Sequence, residues 1–316
     1  MLDVGCFRGS EGWGEGFTDY PAVIAVEQRR SHPCRLKGVL HTGHMKMVAA
    51  PNGIRLVVSK DYGSTSLQAA RLIAREAKAR PNLLACASAG ASWAGCYEEL
   101  GQQARRDPGL FSQLRVVQID EWGGLRRDDP ATCRAQITTQ LLRPLHMTLV
   151  GRVPSPGVTG KRFAGFQSDP AKPERECQRM QRWLAANGPI DLCLLGLGMN
   201  GHIALNEPAA GLRPYVHVVK LTASSLKSDM LRKADRKPGY GLTLGMGDIL
   251  QSRKILMLVS GEAKQAVLKR LLEPIVAPDF PASFLWLHPA VTIICDQAAL
   301  PGLREGEQTV RLNTCH

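Results

Sequence analysis

The sequence predicts an α/β protein with an open, mostly parallel sheet that carries helices on both faces, a modified Rossmann-like arrangement. Short apolar runs alternate along the chain with segments in which apolar residues recur at helical spacing. The core is mostly aliphatic, because 44% of the 316 residues are hydrophobic and only 5% are aromatic. Regular alternation of strands and helices is typical of parallel sheets that are buried on both faces.

The predicted strands are apolar runs bounded by Gly, Ser, Pro or acidic residues. In chain order they cover 54–59, 82–87, 114–120, 190–198, 254–261 and 290–296. Ligands of such sheets bind beyond the carboxyl ends of the strands. Four of these ends carry chemically interesting residues, in the stretches SAGAS, DEW, GMNGHIALNEP and SGEAK. The sequence therefore predicts a functional site at this edge of the sheet.

The predicted helices lie between the strands, at 66–80, 93–106, 133–145, 173–188 and 262–273. The first ends before Pro81, which disfavours a helix at the residue that precedes it. The fourth is amphipathic and has Gly188 at its end, as helix ends commonly do.

The domain prediction has three parts. Residues 1–50 are rich in Gly, His and Arg and lack a clear period, so we expect a disordered extension or an over-long start. Residues 51–300 contain no internal repeat, low-complexity segment or linker, and we expect one domain there. Residues 301–316 are expected to form a tail.

Composition disfavours several classes of protein. The net charge is +12, but the basic residues are dispersed and have no aromatic residues between them, so we expect no nucleic-acid partner. No apolar run approaches the roughly 20 residues needed to span a bilayer, and the N-terminus does not resemble a signal peptide. Nine scattered cysteines without a C-x-x-C pair suit a reducing compartment, and we expect a cytoplasmic protein without a membrane partner.

A metal site is the first alternative that the residues raise. Cys34, His41 and His44 are candidate zinc ligands. Their spacing matches no common zinc site and a fourth ligand is missing, so we expect no metal.

A nicotinamide site is the second alternative. Gly196, Gly198 and Gly201 fit the G-x-G-x-x-G fingerprint of dinucleotide-binding folds. That fingerprint needs a helix at its third glycine, and Pro208 would interrupt such a helix. The acidic residue expected about 20 positions further on is also missing, because residues 220–221 are Lys and Leu. The hypothesis is therefore disfavoured.

The same glycines suit a sharp turn after a strand. Gly198 and Gly201 let the backbone approach a ligand closely and would aim His202 and Glu207 over the sheet edge. An imidazole and a carboxylate at this spacing can share a proton-transfer task. Taken alone, the pair is equally compatible with an ordinary loop histidine and a solvated glutamate.

Three stretches of the sequence resemble the motifs of one enzyme family. The stretch DLCLLGLGMNGHIALNEP resembles the signature of the glucosamine-6-phosphate deaminase/isomerase family, and VVQIDEWGG and GLTLGMGDILQSRKILMLVSGEAKQ resemble its second and third motifs. Asn200 and the stretch PASFLWLH are similar to the galactosamine-6-phosphate deaminase branch. The resemblance spans about residues 55 to 296. The 6-phosphogluconolactonases share the fold but lack the Asn-Glu-Pro ending found here at 206–208.

The resemblance implies a deaminating aldose–ketose isomerase. Such an enzyme converts a 2-amino-2-deoxyhexose 6-phosphate, with either galacto or gluco configuration, to tagatose or fructose 6-phosphate and ammonia in amino-sugar catabolism. It implies no metal and no organic cofactor, and the expected partner is the phosphorylated amino sugar. Homo-oligomers occur in the family, so self-association stays open.

The family's catalytic roles fall on specific residues of this sequence. The resemblance makes His202 the group that opens the sugar ring and Glu207 its charge partner; a nearby carboxylate favours imidazolium. It makes Asp120 the base that moves the C2 proton to C1, with a raised pKa expected from partial desolvation. Glu121 is expected to be structural.

The phosphate contacts implied by the resemblance lie in three places. Ser88, Gly90 and Ser92 occupy the position of the family's Thr-Gly-Gly-Thr-type loop, where backbone N–H groups bind the anion. Lys264 matches the family's phosphate lysine. Arg232 is the candidate for an arginine upstream of the third motif.

Asn200 departs from the glucosamine branch, which has an Asp there that orients and charges the histidine. Asn brings hydrogen bonds but no negative charge, so His202 is expected to depend on Glu207 alone. We interpret Asn200 as a marker of the galactosamine branch.

Two alternatives from other classes stay open. One is a non-catalytic sugar-phosphate sensor, since some transcription regulators use a similar fold; no helix-turn-helix pattern precedes the domain in residues 1–50. The other is a 6-phosphogluconolactonase-like hydrolase, which the ending at 206–208 disfavours.

Overall fold

A computed structural model of the chain describes residues 39–42, 45–49, 54–147, 158–159 and 162–300. These residues form a main sheet and a small sheet. The strands are β1 (Val39–Thr42), β2 (Met45–Ala49), β3 (Ile54–Ser59), β4 (Leu84–Ala87), β5 (Arg115–Gln118), β6 (Asp120–Gly123), β7 (Val158–Thr159), β8 (Phe163–Ala164), β9 (Leu192–Gly196), β10 (His217–Val219), β11 (Tyr240–Thr243), β12 (Lys254–Val259) and β13 (Val291–Asp296).

The main sheet has ten strands in the order β1-β2-β3-β13-β12-β9-β4-β5-β8-β7. From β3 to β8 every neighbouring pair is parallel, and the pairs at both edges are antiparallel. The prediction of a mostly parallel sheet is therefore confirmed. The four strand ends singled out above belong to β12, β9, β4 and β5, which are adjacent, so the loops that follow them meet at one edge.

The α-helices are α1 (Tyr62–Ala79), α2 (Ala91–Arg106), α3 (Cys133–Ile137), α4 (Pro173–Asn187), α5 (Met246–Leu250) and α6 (Gln265–Leu272). Helix α1 starts four residues earlier than predicted, because the Asp61 carboxylate accepts a hydrogen bond from the Ser64 N–H and caps it. The single helix predicted over 133–145 is instead the short α3 followed by a π-helical turn at Thr138–Leu142. The predicted helix at 262–273 begins as a 3-10 turn before α6.

Helices cover both faces of the main sheet, as predicted. Successive side chains of a strand point to opposite faces. In β12, Ile255, Met257 and Val259 pack in one apolar cluster with α4, α5 and α6, whereas Leu256 and Leu258 pack in another with α1 and α2. The two clusters thus lie on opposite sides of the sheet, and each buries the apolar stripe of its helices.

The small sheet begins where the chain leaves β5. Its order is β10-β11-β6, with both pairs antiparallel. The predicted end of the strand at 114–120 is wrong, because β5 ends at Gln118 and the chain passes from the main sheet to the small sheet at Ile119. Asp120 is thereby the first residue of β6, paired with Thr243.

Strand structure also begins earlier than expected. β1 and β2 lie within residues 1–50, where no regular structure was predicted, and β2 pairs with β3. The rest of that segment and the tail at 301–316 lie outside the described residues. No helix in the described part of the chain is long and apolar enough to cross a membrane, and the six cysteines described with their burial are free and buried.

Candidate active site

The loop that follows β4 is held rigidly at the start of α2. The Ser88 hydroxyl donates to the Leu194 carbonyl (2.6 Å), and the Tyr97 hydroxyl donates to the Ser88 carbonyl (2.7 Å). Gly90 precedes α2 with a φ of +108°, a conformation that favours glycine. The helix N-terminus with its free N–H groups therefore faces the carboxyl edge of the sheet, where an anion is favoured.

Lys264 lies beside the loop that follows β9. Its Nζ donates to the Leu197 carbonyl at 2.5 Å, and burial lowers the pKa of its amine. The Ser92 hydroxyl approaches the same loop, 3.8 Å from the position that a Cβ on Gly196 would occupy. Two of the predicted phosphate contacts, Ser88 and Lys264, thus bind backbone carbonyls of residues 194–197, and Ser92 lies near Gly196.

Two glycines shape the loop after β9. Gly201 has a φ of +84°, and a Cβ on it would lie 2.1 Å from the Phe280 ring. A Cβ on Gly198 would lie 2.5 Å from the imidazole of His202. The Gly198 N–H also donates to the His202 carbonyl. The glycines therefore serve a tight turn that folds the histidine back over its own strand, and no helix starts there.

His202, Asn200 and Glu207 form one hydrogen-bonded group. His202 Nδ1 lies 2.7 Å from Asn200 Oδ1, and the Asn200 amide donates to Glu207 Oε2 at 3.0 Å. The direct distance from His202 Nδ1 to Glu207 Oε2 is longer, 3.6 Å. The expectation that His202 depends on Glu207 alone is therefore wrong, because the Asn200 side chain bridges the two.

The charge state of His202 also differs from the expectation. Burial lowers the pKa of the imidazole; the Glu207 carboxylate opposes this effect and the Lys264 ammonium adds to it. The lowered pKa favours the neutral form of the His202 imidazole. Since Asn200 Oδ1 accepts from Nδ1–H, Nε2 carries the free lone pair, and it has no hydrogen-bond partner within the described part of the chain.

Asp120 has the raised pKa that was expected. Burial, followed by the charge of Glu121, raises the pKa of Asp120 to about 7, although a hydrogen bond with Cys133 lowers it. The side chain is only partly buried by area, so a ligand can reach it. A carboxyl group that titrates near neutral pH is suited to act as a general base.

Glu121 points away from Asp120 and is fully buried. Its carboxylate accepts hydrogen bonds from the N–H groups of Trp122, Cys133 and Arg134 and from the Gln118 amide, all at 2.8–2.9 Å. It fixes the start of α3 to β6. The structure thus supports the structural role expected for it.

The small sheet brings Asp120 and the His202 loop together. The Leu205 N–H donates to the hydroxyl of Thr243, the β11 partner of Asp120. The Asn206 amide donates to the carbonyls of Ile203 and Leu244 and is buried. The loop is thereby anchored on β11, next to β6.

The side chain of Arg232 makes no hydrogen bond or ion pair with the other predicted site residues in the described part of the chain. Its side chain is 77% exposed and forms an ion pair with Asp229 at 2.8 Å. It lies in a 3-10 turn at Asp229–Lys233, and the nearby Met230 sulfur lies 3.5 Å from the position of a Cβ on Gly90. Arg232 remains a predicted phosphate contact.

The sequence analysis missed two hydroxyl groups in the site. Thr222 and Ser225 both donate to Glu207 Oε1. Their stretch, TASS, carries no motif and is typical of any polar loop, so no signal in it pointed to the site. Within the ranges described above, no group of three or more His, Cys, Asp or Glu residues is arranged to hold a metal ion; Cys34 and His44 lie outside those ranges.

Replacing Gly198 by alanine is expected to lower kcat by about 100-fold, because the new Cβ would push the His202 ring away from Asn200. Gly211→Ala is the matched control, since a Cβ there meets nothing within 4 Å. Steady-state kinetics with an amino-sugar phosphate would measure the effect. Equal activity of the two variants would show that the ring position does not matter.

Comparisons with known proteins show the family of this chain. The family model described as glucosamine-6-phosphate isomerases/6-phosphogluconolactonase matches residues 64–293, and the chain belongs to this family. AgaI of Escherichia coli (strain K12), provisionally named a deaminase, is 35% identical over 72% of this chain and 86% of its own. The glucosamine-6-phosphate deaminase of Geobacillus sp. (strain WCH70) is 32% identical over 78% and 95%.

Solved structures show the same fold. A monomeric glucosamine-6-phosphate deaminase matches with a TM-score of 0.70 and 29% identity, over 78% of this chain and 98% of its own. The 6-phosphogluconolactonase of Trypanosoma brucei matches with a TM-score of 0.59 and 18% identity, over 77% and 96%. The second likeness concerns the fold alone.

Proposed function

We propose that this protein is an amino-sugar-6-phosphate deaminase that isomerises its substrate to the 2-ketohexose 6-phosphate and releases ammonia. The observation that carries the proposal is a pair of proton-transfer groups at one sheet edge. One is a neutral imidazole bridged by Asn200 to a buried carboxylate, and the other is a carboxyl with a pKa of about 7. Lys264 and the N-terminus of α2 lie at the same edge.

Ring opening is the first step. It requires the proton of the anomeric hydroxyl to leave and the ring oxygen to gain one. The free Nε2 lone pair of His202 accepts the first proton and can return it to the ring oxygen, so no imidazolium is needed beforehand. Glu207 stabilises the imidazolium that exists between the two transfers. The lowered pKa of His202 therefore fits a shuttle better than a permanently charged acid.

Isomerisation and deamination follow on the open chain. Asp120, in its ionised form, removes the proton from C2, and a proton moves from the ammonium group of the substrate to O1, which leaves an enol with a neutral amino group on C2. Return of the C2 proton from Asp120 to C1 gives a C2 iminium ion, which water hydrolyses to the ketone and ammonia, released as ammonium. Each proton removed is thus placed elsewhere on the substrate, and no oxidant or reductant is consumed. The residues alone supply the acid–base chemistry.

The phosphate end of the substrate is expected at the start of α2. Ser88, Gly90 and Ser92 form the loop there, and Lys264 supplies the cation at the neighbouring strand end. A phosphate would replace the Leu197 carbonyl as partner of the lysine, since a charged acceptor binds an ammonium more strongly than a neutral one. Arg232 would have to exchange Asp229 for the phosphate.

We further propose that the galacto epimer is the preferred substrate. Asn200 and the stretch at 281–288 support this, because both are similar to the galactosamine branch. The uncharged Asn200 still orients the histidine through its carbonyl oxygen. A homo-oligomeric assembly stays a proposal, and the protein of known structure with the TM-score of 0.70 is a monomer by its description.

The test is to follow ammonia release from galactosamine 6-phosphate and glucosamine 6-phosphate in parallel. We expect ammonia from both or from the galacto epimer, with the higher kcat/KM for the galacto epimer. Preference for the gluco epimer would overturn the epimer assignment, whereas the proposed deamination reaction would still be supported. Absence of ammonia from both, together with hydrolysis of 6-phosphogluconolactone, would identify a lactonase, and binding of the sugars without turnover would identify a sensor.

A further inference from the structure

Glu207 lies where two separate segments of the chain meet. Its Oε2 faces the catalytic loop and accepts from the Asn200 amide, whereas its Oε1 accepts from the hydroxyls of Thr222 (3.1 Å) and Ser225. Glu207 is 7% exposed and Ser225 only 3%. The two oxygens of the carboxylate therefore have different partners, and the side chain is largely shielded from bulk water.

The hydroxyl group of Thr222 has two acceptors within reach. It lies 3.1 Å from Glu207 Oε1 and 3.4 Å from Ser225 Oγ, so Glu207 is the nearer acceptor, and the Ser225 N–H donates to Thr222 Oγ1 at 3.2 Å. Ser225 itself begins a 3-10 turn at Ser225–Lys227. Hydroxyl and amide groups are neutral donors, so they satisfy the buried carboxylate without cancelling its charge, which acts on the imidazole 3.6 Å away.

The segment that contains Thr222 and Ser225 continues to the loop at residues 88–92, which is proposed to bind the phosphate and is called the phosphate loop below. Two residues after the end of the turn at Ser225–Lys227, the chain enters the 3-10 turn at Asp229–Lys233. Met230 and Leu231 pack there with Ala89 against the apolar cluster that contains Trp122 and Leu205. Residues 222–233 thus contact the carboxylate at one end and the loop before α2 at the other.

We infer that Thr222 and Ser225 are positioning residues of the proposed reaction, which clamp one oxygen of Glu207 so that the other faces Asn200 and His202. The clamp also links the proton-transfer group to the segment that covers the phosphate loop. The inference rests on the proposed function for its catalytic consequence. Its structural content, the control of the His202 environment, does not depend on turnover.

The test uses variants at both hydroxyls. Thr222→Val removes the hydroxyl at constant shape, Thr222→Ser retains it, and Ser225→Ala removes the second donor. Ser224→Ala is the matched control, because Ser224 is an exposed serine one position away whose side chain makes no capping hydrogen bond. The first readout is kcat/KM, which we expect to fall about tenfold in Thr222→Val and Ser225→Ala. Thr222→Ser and Ser224→Ala should resemble the wild type.

The second readout is an NMR titration of the His202 imidazole in the free protein. The titratable groups that act on this imidazole are Glu207, which raises its pKa, and Lys264, which lowers it. A displaced or protonated Glu207 would lower the pKa of His202 further. We expect this downward shift in Thr222→Val and Ser225→Ala and its absence in Thr222→Ser and Ser224→Ala.

The two readouts separate the possible failures. A wild-type protein that releases no ammonia contradicts the proposed function, and the NMR titration still decides whether the clamp controls His202. An unchanged pKa of His202 in both folded hydroxyl-deletion variants would overturn the inference. So would an equal loss of activity in Thr222→Ser, since the hydroxyl would then not be the cause.

Discussion

Replacing Asp120 by asparagine is expected to reduce kcat by about 10²- to 10⁴-fold, the usual contribution of a positioned general base. Asparagine has nearly the same shape but cannot accept the C2 proton. Asp128→Asn is the matched control, because Asp128 is an exposed aspartate eight positions further on that forms an ion pair with Arg126. Ammonia release under saturating substrate measures the effect. A loss of less than about threefold would exclude Asp120 as the base.

The pKa of about 7 for Asp120 gives this prediction a pH dependence. The base must be ionised, so kcat/KM of the wild type should fall as the pH drops below about 7. The raised pKa also means that the ionised carboxyl destabilises the folded state, an effect that develops as the pH rises from about 4 to 7. Asp120→Asn should therefore raise the Tm at pH 8 and leave it unchanged at pH 4. A lower Tm at pH 8 would contradict the assignment.

Replacing Glu121 by alanine is expected to destabilise the fold by about 3 kcal/mol or more, because three buried backbone N–H groups lose their acceptor at once. The start of α3 would be released from β6. Urea denaturation at pH 7 measures the change in the free energy of unfolding.

Glu98→Ala is the control for this second variant. Glu98 lies in the middle of α2 and is exposed, so its loss should change the free energy of unfolding by less than about 0.5 kcal/mol. A similarly small change in Glu121→Ala would show that water replaces the carboxylate. In that case Glu121 would not have the structural role that its buried hydrogen bonds indicate.

The sequence predicted the parts of the fold that depend on local pattern. Alternating apolar runs and helical periods located the parallel strands, because a buried strand must be apolar along its whole length. The turn from β5 into the small sheet escaped prediction: Ile119 and Asp120 continue the strand pattern, and the change of sheet is set by pairing with Thr243 far along the chain. Helix α3 and its π-helical continuation likewise share one helical pattern.

The candidate site was predictable where a motif concentrates its residues. Asp120 begins the short strand that follows β5, and Asn200 and His202 lie in the loop that follows β9; all three belong to stretches that resemble family signatures. The hydroxyls of Thr222 and Ser225 were not predictable, since they reach Glu207 from 15 and 18 residues away. The lowered pKa of His202 was missed for a different reason. A neighbouring carboxylate is visible in sequence, but the extent of burial that outweighs it is not.

The division of the strands between two sheets separates two tasks of the site. Apart from Arg232, the groups proposed to hold the phosphate follow strands of the main sheet, whereas Asp120 and the anchor of the His202 loop belong to β6 and β11 of the small one. Substitutions in the small sheet and its loops can therefore alter the chemistry while the phosphate anchor stays in place. Such a division is a physical basis for one family to contain both isomerases and lactonases, which share a phosphorylated sugar and differ in the bond they break.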